Sequence, residues 1–347
     1  MNSQKLSFYI ENSFLSQLIN NPNVTDITYN GEDIFYVDNE SGRQKSNIKI
    51  GFDSAKDFIR QIANISEKQF SFQTPNLDVS FGKYRVNAIH QSIAKRNNED
   101  VINFAIRIGS TNLKISENSG FLPRVLIELL DVLISSRVSI VIGGETGSGK
   151  TELQKFLLSR MKENTRVIII DNVGELDYIN INPNIDMNTW LASDDRKESN
   201  VQSLVRNALR SNPDWLIVAE ARGEEMLDVL NSALTGHPII TTIHALDVTA
   251  MPIRMTRLVM MGDKKSDYEE IYKDISYHFK FYIYLKRDYQ NGQVNRYVDE
   301  ISCLYSNKFF PLFKENKTFS IPLGIRKLLT LQNISDEFKE AFLKEVF

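Results

Sequence analysis

The sequence has little of several things that mark particular protein classes. Cys303 is its only cysteine, which excludes an internal disulfide and a four-cysteine zinc module. The balance of 41 Lys and Arg against 44 Asp and Glu gives a formal net charge of −3, and no basic stretch interleaved with aromatic residues is present. The longest apolar runs, such as VSIVI at 138–142, are far shorter than the roughly 20 residues that span a bilayer. The first residues, MNSQKLSFYIENS, contain no apolar run, so we do not expect a signal peptide there. We therefore expect a protein of the reducing cytoplasm without sequence-specific nucleic-acid binding, whose contact with any membrane is peripheral.

The pattern of apolar residues changes along the chain. Residues 1–108 contain short alternating runs separated by turn signals, which predict an α+β domain with a hairpin around Asn30-Gly31. A polar, turn-rich segment at 109–120 is the predicted linker. Residues 121–347 alternate helices with fully apolar strands, the pattern of a mostly parallel sheet covered on both faces, and end in a β and helical extension. We predict an α/β protein with two domains.

Residues 144–151 read GETGSGKT and lie between an apolar strand and a helix. Glycines leave backbone N–H groups free to converge on phosphate oxygens, and the N-terminus of the helix also favours an anion. A lysine here binds the β- and γ-phosphates, and the next hydroxyl binds Mg²⁺. The predicted nucleotide-binding residues are Gly144, Glu145, Thr146, Gly147, Ser148, Gly149, Lys150 and Thr151, with Thr151 also a metal ligand.

Acidic residues follow two of the apolar strands. The strand WLIVAE at 215–220 ends in Glu220, where a carboxylate can polarise the attacking water or hold the metal's water shell. Many P-loop enzymes carry Asp just before this Glu, and here that position is Ala219. RVIIIDNVGEL places Asp171 and Glu175 after another strand, where either reaches the metal or the water, or caps the next segment.

Two of the four histidines flank the apolar strand in TGHPIITTIH. His237 precedes the strand and His244 ends it. A histidine at the carboxyl edge can sense a γ-phosphate through a hydrogen bond, although a histidine satisfied in the core is the alternative for both. No cysteine or third histidine is nearby, so a zinc site is not predicted.

Taken together, these segments resemble the type II/IV secretion ATPases, a superfamily of hexameric motors. Four of its boxes are matched in order and spacing by GGETGSGKT, IIIDNVGEL, LVRNALRSNPDWLIVAEARGEEMLDVLNSALTGH and TGHPIITTIHA. The resemblance implies an N-terminal PAS-like sheet domain and a RecA-like ATPase domain. The superfamily also lacks the Asp before Glu220. Asp171 and Asn172 stand where Glu-Asp is usual, which favours Glu175 as the second catalytic acid.

The N-terminal half resembles the same superfamily, in LINNPNVTDITYNGEDIFYV, FQTPNLDVSFGKYRVNAI and FAIRI. The resemblance implies that Arg85 and Arg107 act on the nucleotide phosphates. Surface arginines on strands are the alternative.

The resemblance implies a function as well as a fold. We expect an ATP- and Mg²⁺-dependent hexameric ring at the inner face of the cell membrane. It would contact inner-membrane components of a type IV secretion, conjugation or Tad-type pilus machine. Within the site, Lys150, Glu175, Glu220, His244, Arg85 and Arg107 are the expected catalytic residues, and Glu220 is also a metal ligand. The alternatives are a RecA-like nucleic-acid motor and a nucleotide-binding scaffold without turnover.

Overall fold

Two units make up the fold of this chain. A computed structural model describes residues 2–109, 113–115, 121–172, 174, 176, 181–193, 197–262, 265, 267–290 and 292–344. Unit 1 consists of Met1–Thr111, Val173–Glu175 and Tyr289–Asn295, and unit 2 consists of Asn112–Asn172, Leu176–Asp288 and Arg296–Phe347. Residues 110–112 and 116–120 of the predicted linker lie outside the described residues, so the predicted domain boundaries stay a prediction.

Unit 1 is built on an antiparallel sheet. Its elements are α1 (Asn2–Glu11), α2 (Ser16–Ile19), β1 (Val24–Tyr29), β2 (Ile34–Asp38), β3 (Gly42–Lys45), α3 (Phe52–Ile65), β4 (Asn76–Phe81), β5 (Tyr84–Ile89), β6 (Lys95–Arg96), β7 (Glu99–Asp100) and β8 (Asn103–Ile108). The strand order of the sheet is β3-β2-β1-β8-β5-β4. The helix α3 buries Ala55, Phe58, Ile59 and Ile62, a spacing that places all four side chains on one face. The predicted hairpin is confirmed, because β1 pairs antiparallel with β2 on either side of Asn30-Gly31.

The second sheet carries the remaining elements. They are α4 (Arg124–Ser135), β9 (Ser139–Gly144), α5 (Lys150–Ser159), β10 (Arg166–Asp171), β11 (Asp186–Leu191), α6 (Val201–Ala208), β12 (Trp215–Val218), α7 (Met226–Leu234), β13 (Ile239–Ile243), α8 (Ala250–Gly262), α9 (Tyr268–His278), β14 (Phe279–Gln290), β15 (Gln293–Tyr305), β16 (Lys308–Lys314), β17 (Lys317–Thr318), α10 (Leu323–Arg326) and α11 (Asp336–Phe342). The strand order is β11-β10-β12-β13-β9-β14-β15-β16-β17. The run from β11 to β14 is parallel at each pairing. This confirms the predicted α/β class with a mostly parallel sheet.

Both faces of the parallel strands are covered, which explains their uninterrupted apolar sequences. On one face, Ile140 and Ile142 of β9 share a core with Leu153 of α5. On the other face, Val141 of β9 shares a core with Met251 of α8. Because β14 pairs in parallel with β9, the strands after residue 279 continue this sheet. None of the described helices is both long and apolar enough to cross a membrane.

Two boundaries differ from the sequence-based expectation in a way that concerns the site. The strand predicted at 215–220 ends at Val218, so Glu220 lies two residues beyond it. The residues GEEMLDVLNSALT at 223–235 predict a helix, but the helix begins only at Met226. The Glu225 carboxylate accepts hydrogen bonds from the backbone N–H groups of Arg222 (2.6 Å) and Gly223 (2.9 Å), which fixes a turn where the helix was expected to begin.

Candidate functional site

The phosphate-binding loop follows the fully buried strand β9 and opens α5. Gly144, Gly147 and Gly149 have φ angles of 151°, 76° and 99°, in the region that favours glycine. A Cβ at Gly144 would lie 2.6 Å from the Leu285 carbonyl oxygen and 2.6 Å from the Ser148 hydroxyl oxygen. The loop therefore depends on glycine for both its conformation and its close packing.

The carbonyl groups of the loop are held by donors of the protein itself. The Lys150 ammonium donates to the carbonyls of Gly144 (2.9 Å) and Glu145 (2.8 Å). The Ser148 hydroxyl also donates to the Glu145 carbonyl (2.9 Å), and the Arg296 Nε donates to the Gly147 carbonyl (2.7 Å). Carbonyl oxygens would repel a polyphosphate, so their engagement favours a loop that presents N–H groups to an anion.

The residues at the loop fit a nucleotide with Mg²⁺. Thr151 is the second residue of α5, directly after Lys150. Within the described part of the chain, no group of three or more His, Cys, Asp or Glu residues is arranged to hold a metal. Mg²⁺ characteristically needs no such cage, because one or two protein oxygens and the substrate phosphates suffice. Thr151 and Glu220 offer that donor set.

Glu220 lies between two partners at the ends of neighbouring strands. Its Oε2 is 2.6 Å from Arg222 Nη2, and its Oε1 is 3.1 Å from His244 Nε2. Burial by itself raises the pKa of Glu220, but the hydrogen bond and charge of Arg222, with the charges of His244 and Lys150, hold that pKa below its ordinary value. Glu220 is consequently ionised at neutral pH.

His244 follows β13 and adjoins both Glu220 and the loop. Burial and the charge of Lys150 lower its pKa, and the attraction of Glu220 and a hydrogen bond to the Gly144 backbone only partly oppose them. Its imidazole is therefore mainly neutral at pH 7 and can act as a hydrogen-bond donor. His237 lies before β13, with its Nδ1 3.0 Å from the Thr235 hydroxyl, at the strand end opposite His244.

Asp171 ends β10 and is buried. Its Oδ2 accepts a hydrogen bond from the Leu176 backbone N–H (3.0 Å), which is the capping contact considered as the alternative for this residue. Its charge also raises the pKa of Arg222, so Asp171 lies near the Glu220 pair. Glu175 lies outside the described residues.

Arg85 and Arg107 lie on unit 1, directly opposite each other on β5 and β8. Side chains at opposed positions point to the same face of a sheet. Arg85 Nη2 is 3.0 Å from Asp78 Oδ2, and Arg107 Nε is 3.2 Å from Asp26 Oδ1. The structure thus brings the two predicted arginines together on one face.

Three arginines of the site were not identified as site residues from the sequence. Arg222 was visible within the ARGEE segment but had no assigned role. No local pattern in the sequence relates Arg287 or Arg296 to the loop. The hydrogen bond from Arg296 to Gly147, for example, joins residues 149 positions apart. Such a contact depends on the pairing of strands distant in the sequence.

A parallel sheet with this loop after β9 and a carboxylate beyond the nearby β12 defines a P-loop nucleotide-binding protein. The chain belongs to the family described as "Type II/IV secretion system protein", which it matches over residues 86–275, or 190 of 347 residues. It is 30% identical to an uncharacterized protein of Bacillus anthracis over 277 residues (77% of this chain, 59% of that protein). It is 33% identical to the type IV secretion system protein VirB11 of Bartonella quintana over 149 residues (41% of this chain, 40% of that protein).

The fold has a counterpart in the solved structure of the Legionella pneumophila ATPase DotB. The TM-score is 0.62 at 25% identity, covering 84% of this chain and 80% of that one. The chain spans less than two thirds of the length of either sequence relative, 59% and 40%.

Proposed function

We propose that this protein hydrolyses ATP to power a type IV secretion or conjugation apparatus. The observation that carries the proposal is the convergence of three chemically distinct groups at neighbouring strand ends. They are the Lys150 ammonium on the loop, the ionised Glu220 carboxylate and the neutral His244 imidazole. Phosphoryl transfer to water is served by such a set: a cation that binds the phosphates, a carboxylate base for the water and a neutral hydrogen-bond donor.

In this proposal the ATP phosphates lie in the loop, where backbone N–H groups and Lys150 neutralise their charge. Thr151 would hold Mg²⁺ through its hydroxyl, with Glu220 on the water shell of the ion. When bound, Mg²⁺ neutralises charge that develops on the phosphate oxygens. Binding of the phosphates requires Lys150 to exchange its contacts with the Gly144 and Glu145 carbonyls for phosphate oxygens.

Glu220 orients the attacking water and receives its proton. The water oxygen forms a bond to the γ-phosphorus, the bond to the β–γ bridging oxygen breaks, and ADP and phosphate result. Arg222 keeps Glu220 ionised, and His244 donates a hydrogen bond toward the γ-phosphate. Asp171 or Glu175 is the proposed second acid, and Arg85 and Arg107 are proposed to contribute positive charge to the reaction.

The machine-level part of the proposal rests on family membership. The family is that of type II/IV secretion proteins, and one relative is VirB11 of a type IV secretion system. We propose that the chain assembles into a hexameric ring at the inner face of the cell membrane and acts on inner-membrane components of the apparatus. As an alternative machine we propose the assembly apparatus of a Tad-type pilus.

The test is the release of phosphate from Mg·ATP by the purified full chain. Lys150→Ala should lower the rate by at least about two orders of magnitude, because the lysine stabilises charge that develops in the transition state. Lys162→Ala, which removes an exposed lysine just beyond α5, is the matched control. A wild-type chain that binds no nucleotide, or a folded Lys150→Ala protein with wild-type turnover, would refute the proposal.

A further inference from the structure

Two arginines from strands that are distant in sequence lie at the tip of the phosphate-binding loop. Arg296 lies on β15, and its Nε donates to the Gly147 carbonyl at 2.7 Å. Arg287 lies on β14, and a Cβ placed on Gly147 would be 2.8 Å from its Nη1. The strands β14 and β15 are neighbours in the sheet, so one hairpin supplies both cations, the arginine pair, to the same glycine.

The contact matters because a glycine peptide can change its orientation more readily than that of a residue with a side chain. The φ of 76° at Gly147 is readily exchanged for other values by glycine, which has no Cβ. Rotation of the Gly147–Ser148 peptide would turn the Gly147 carbonyl toward a bound phosphate. The hydrogen bond from Arg296 holds the carbonyl, while the Ser148 N–H at the other side of the same peptide donates to the Glu145 carbonyl (3.3 Å).

We propose that Arg296 and Arg287 are positioning residues for the triphosphate: they fix the Gly147 peptide in the orientation that accepts phosphate and add positive charge beside it. This inference rests on the proposed function. Arg296 sets the orientation of the peptide, and Arg287 occupies the space next to the glycine. Preorganisation of this kind lowers the cost of binding and does not enter the chemical step.

A role in phosphate positioning has a signature that general destabilisation lacks. Loss of the arginine pair should weaken the binding of a ligand according to the number of phosphates that the ligand places in the loop. ATP and ADP should therefore lose affinity, and adenosine should not. The KM for ATP should rise while kcat stays within about twofold, since ground-state and transition-state binding are weakened together.

The experiment compares nucleotide affinity and steady-state kinetics of the full chain with those of Arg296→Gln, Arg296→Lys and the Arg287→Gln/Arg296→Gln double variant. The matched control is Arg326→Gln, because Arg326 Nε also donates to a backbone carbonyl, that of Ile321 at 2.6 Å. Thermal unfolding is recorded for each protein. We expect Arg296→Gln to raise the dissociation constant of ADP about tenfold, a change typical of a charge-assisted hydrogen bond.

Arg296→Lys should recover part of the loss because it restores the charge but not the planar guanidinium. The double variant should be weaker than either single variant. The inference is overturned if folded Arg296→Gln binds ADP and ATP like the wild type, or if adenosine affinity falls equally. A wild-type chain without nucleotide binding would instead refute the proposed function, so the two failures are distinguishable.

Discussion

The His244 Nε2 lies 3.1 Å from Glu220 Oε1, and this contact connects the ends of two adjacent parallel strands, β13 and β12. The pKa of each partner is below its ordinary value, for which burial and Lys150 are responsible at His244 and Arg222 is mainly responsible at Glu220. A neutral imidazole beside an ionised carboxylate leaves Glu220 able to take a proton from a water molecule. The pair therefore has the protonation state that a general base requires at neutral pH.

We predict that Glu220→Gln binds ATP but hydrolyses it about 10²- to 10⁴-fold more slowly, the usual contribution of a general base. The amide keeps the size of the side chain but cannot accept the proton. Nucleotide affinity by fluorescence titration and phosphate release on the same preparations separate binding from turnover.

The control for this prediction is Glu224→Gln, which neutralises an exposed carboxylate four residues away. It should leave both affinity and rate unchanged. Turnover near the wild-type rate in Glu220→Gln would mean that another acid activates the water, with Glu175 as the next candidate.

The acid side of the pH–rate profile should depend on Arg222. Burial raises the pKa of Glu220, and Arg222 is the main group that lowers it. In Arg222→Gln the main lowering effect is lost, the pKa of Glu220 rises, and this base is protonated at a higher pH than in the wild type. The acid limb of kcat/KM should therefore move to higher pH.

Arg222 also lowers the pKa of His244, so its removal shifts both groups in the same direction. The double variant Arg222→Gln/His244→Asn separates the two effects. Without His244, only the pKa of Glu220 can shift the acid limb of the profile. Arg210→Gln, which removes an exposed arginine that follows α6, is the control. A profile unchanged by Arg222→Gln would contradict the assignment of Glu220 as the base.

How far the sequence predicts this structure depends on burial. The strands β9, β10, β12 and β13 are buried on both faces and appear in the sequence as apolar runs, so the sheet was predictable. The edge strand β11 was not, because DMNTWL pairs only with β10 and none of its side chains is fully buried. The helix α1 was also missed, since its polar and apolar residues give no clear helical periodicity.

The candidate site divides along the same lines. The loop from Gly144 to Thr151 and the carboxylate Glu220 are local in sequence, and their chemistry was predictable from residue type and context. The contacts of Arg222 with Glu220 and of Arg296 with Gly147 depend on side-chain direction and strand pairing. A single sequence contains neither.

We predict that Arg85→Ala and Arg107→Ala each lower ATP turnover while leaving stability nearly unchanged. Each arginine forms one surface ion pair, with Asp78 and Asp26 respectively, and exposed pairs contribute only about 0–1 kcal/mol. A clear loss of turnover in a variant whose stability is nearly unchanged implies a role in the reaction.

The matched control is Arg43→Ala, which removes an exposed arginine from β3 of the same sheet. Thermal unfolding and phosphate release are measured for all three variants. If Arg85→Ala and Arg107→Ala retain the turnover of Arg43→Ala, the two arginines act only as surface residues.

The final prediction is that the protein forms a hexameric ring and that an ATP analogue favours the assembly. Family membership motivates it, together with large exposed apolar side chains on unit 2. Leu246, two residues after His244, is 85% exposed, and Met261 at the end of α8 is 56% exposed. Large exposed apolar side chains are characteristic of protein–protein contact surfaces when they are grouped.

Light scattering at high protein concentration with a non-hydrolysable ATP analogue measures the mass directly, and specific activity should rise with protein concentration. Leu246→Asp should lower both, because it places a charge in the expected contact surface, whereas Leu323→Asp alters a residue that is 73% exposed elsewhere in unit 2 and should not. A monomeric mass together with a flat specific activity over the whole concentration range would contradict the ring and favour a nucleotide-binding scaffold.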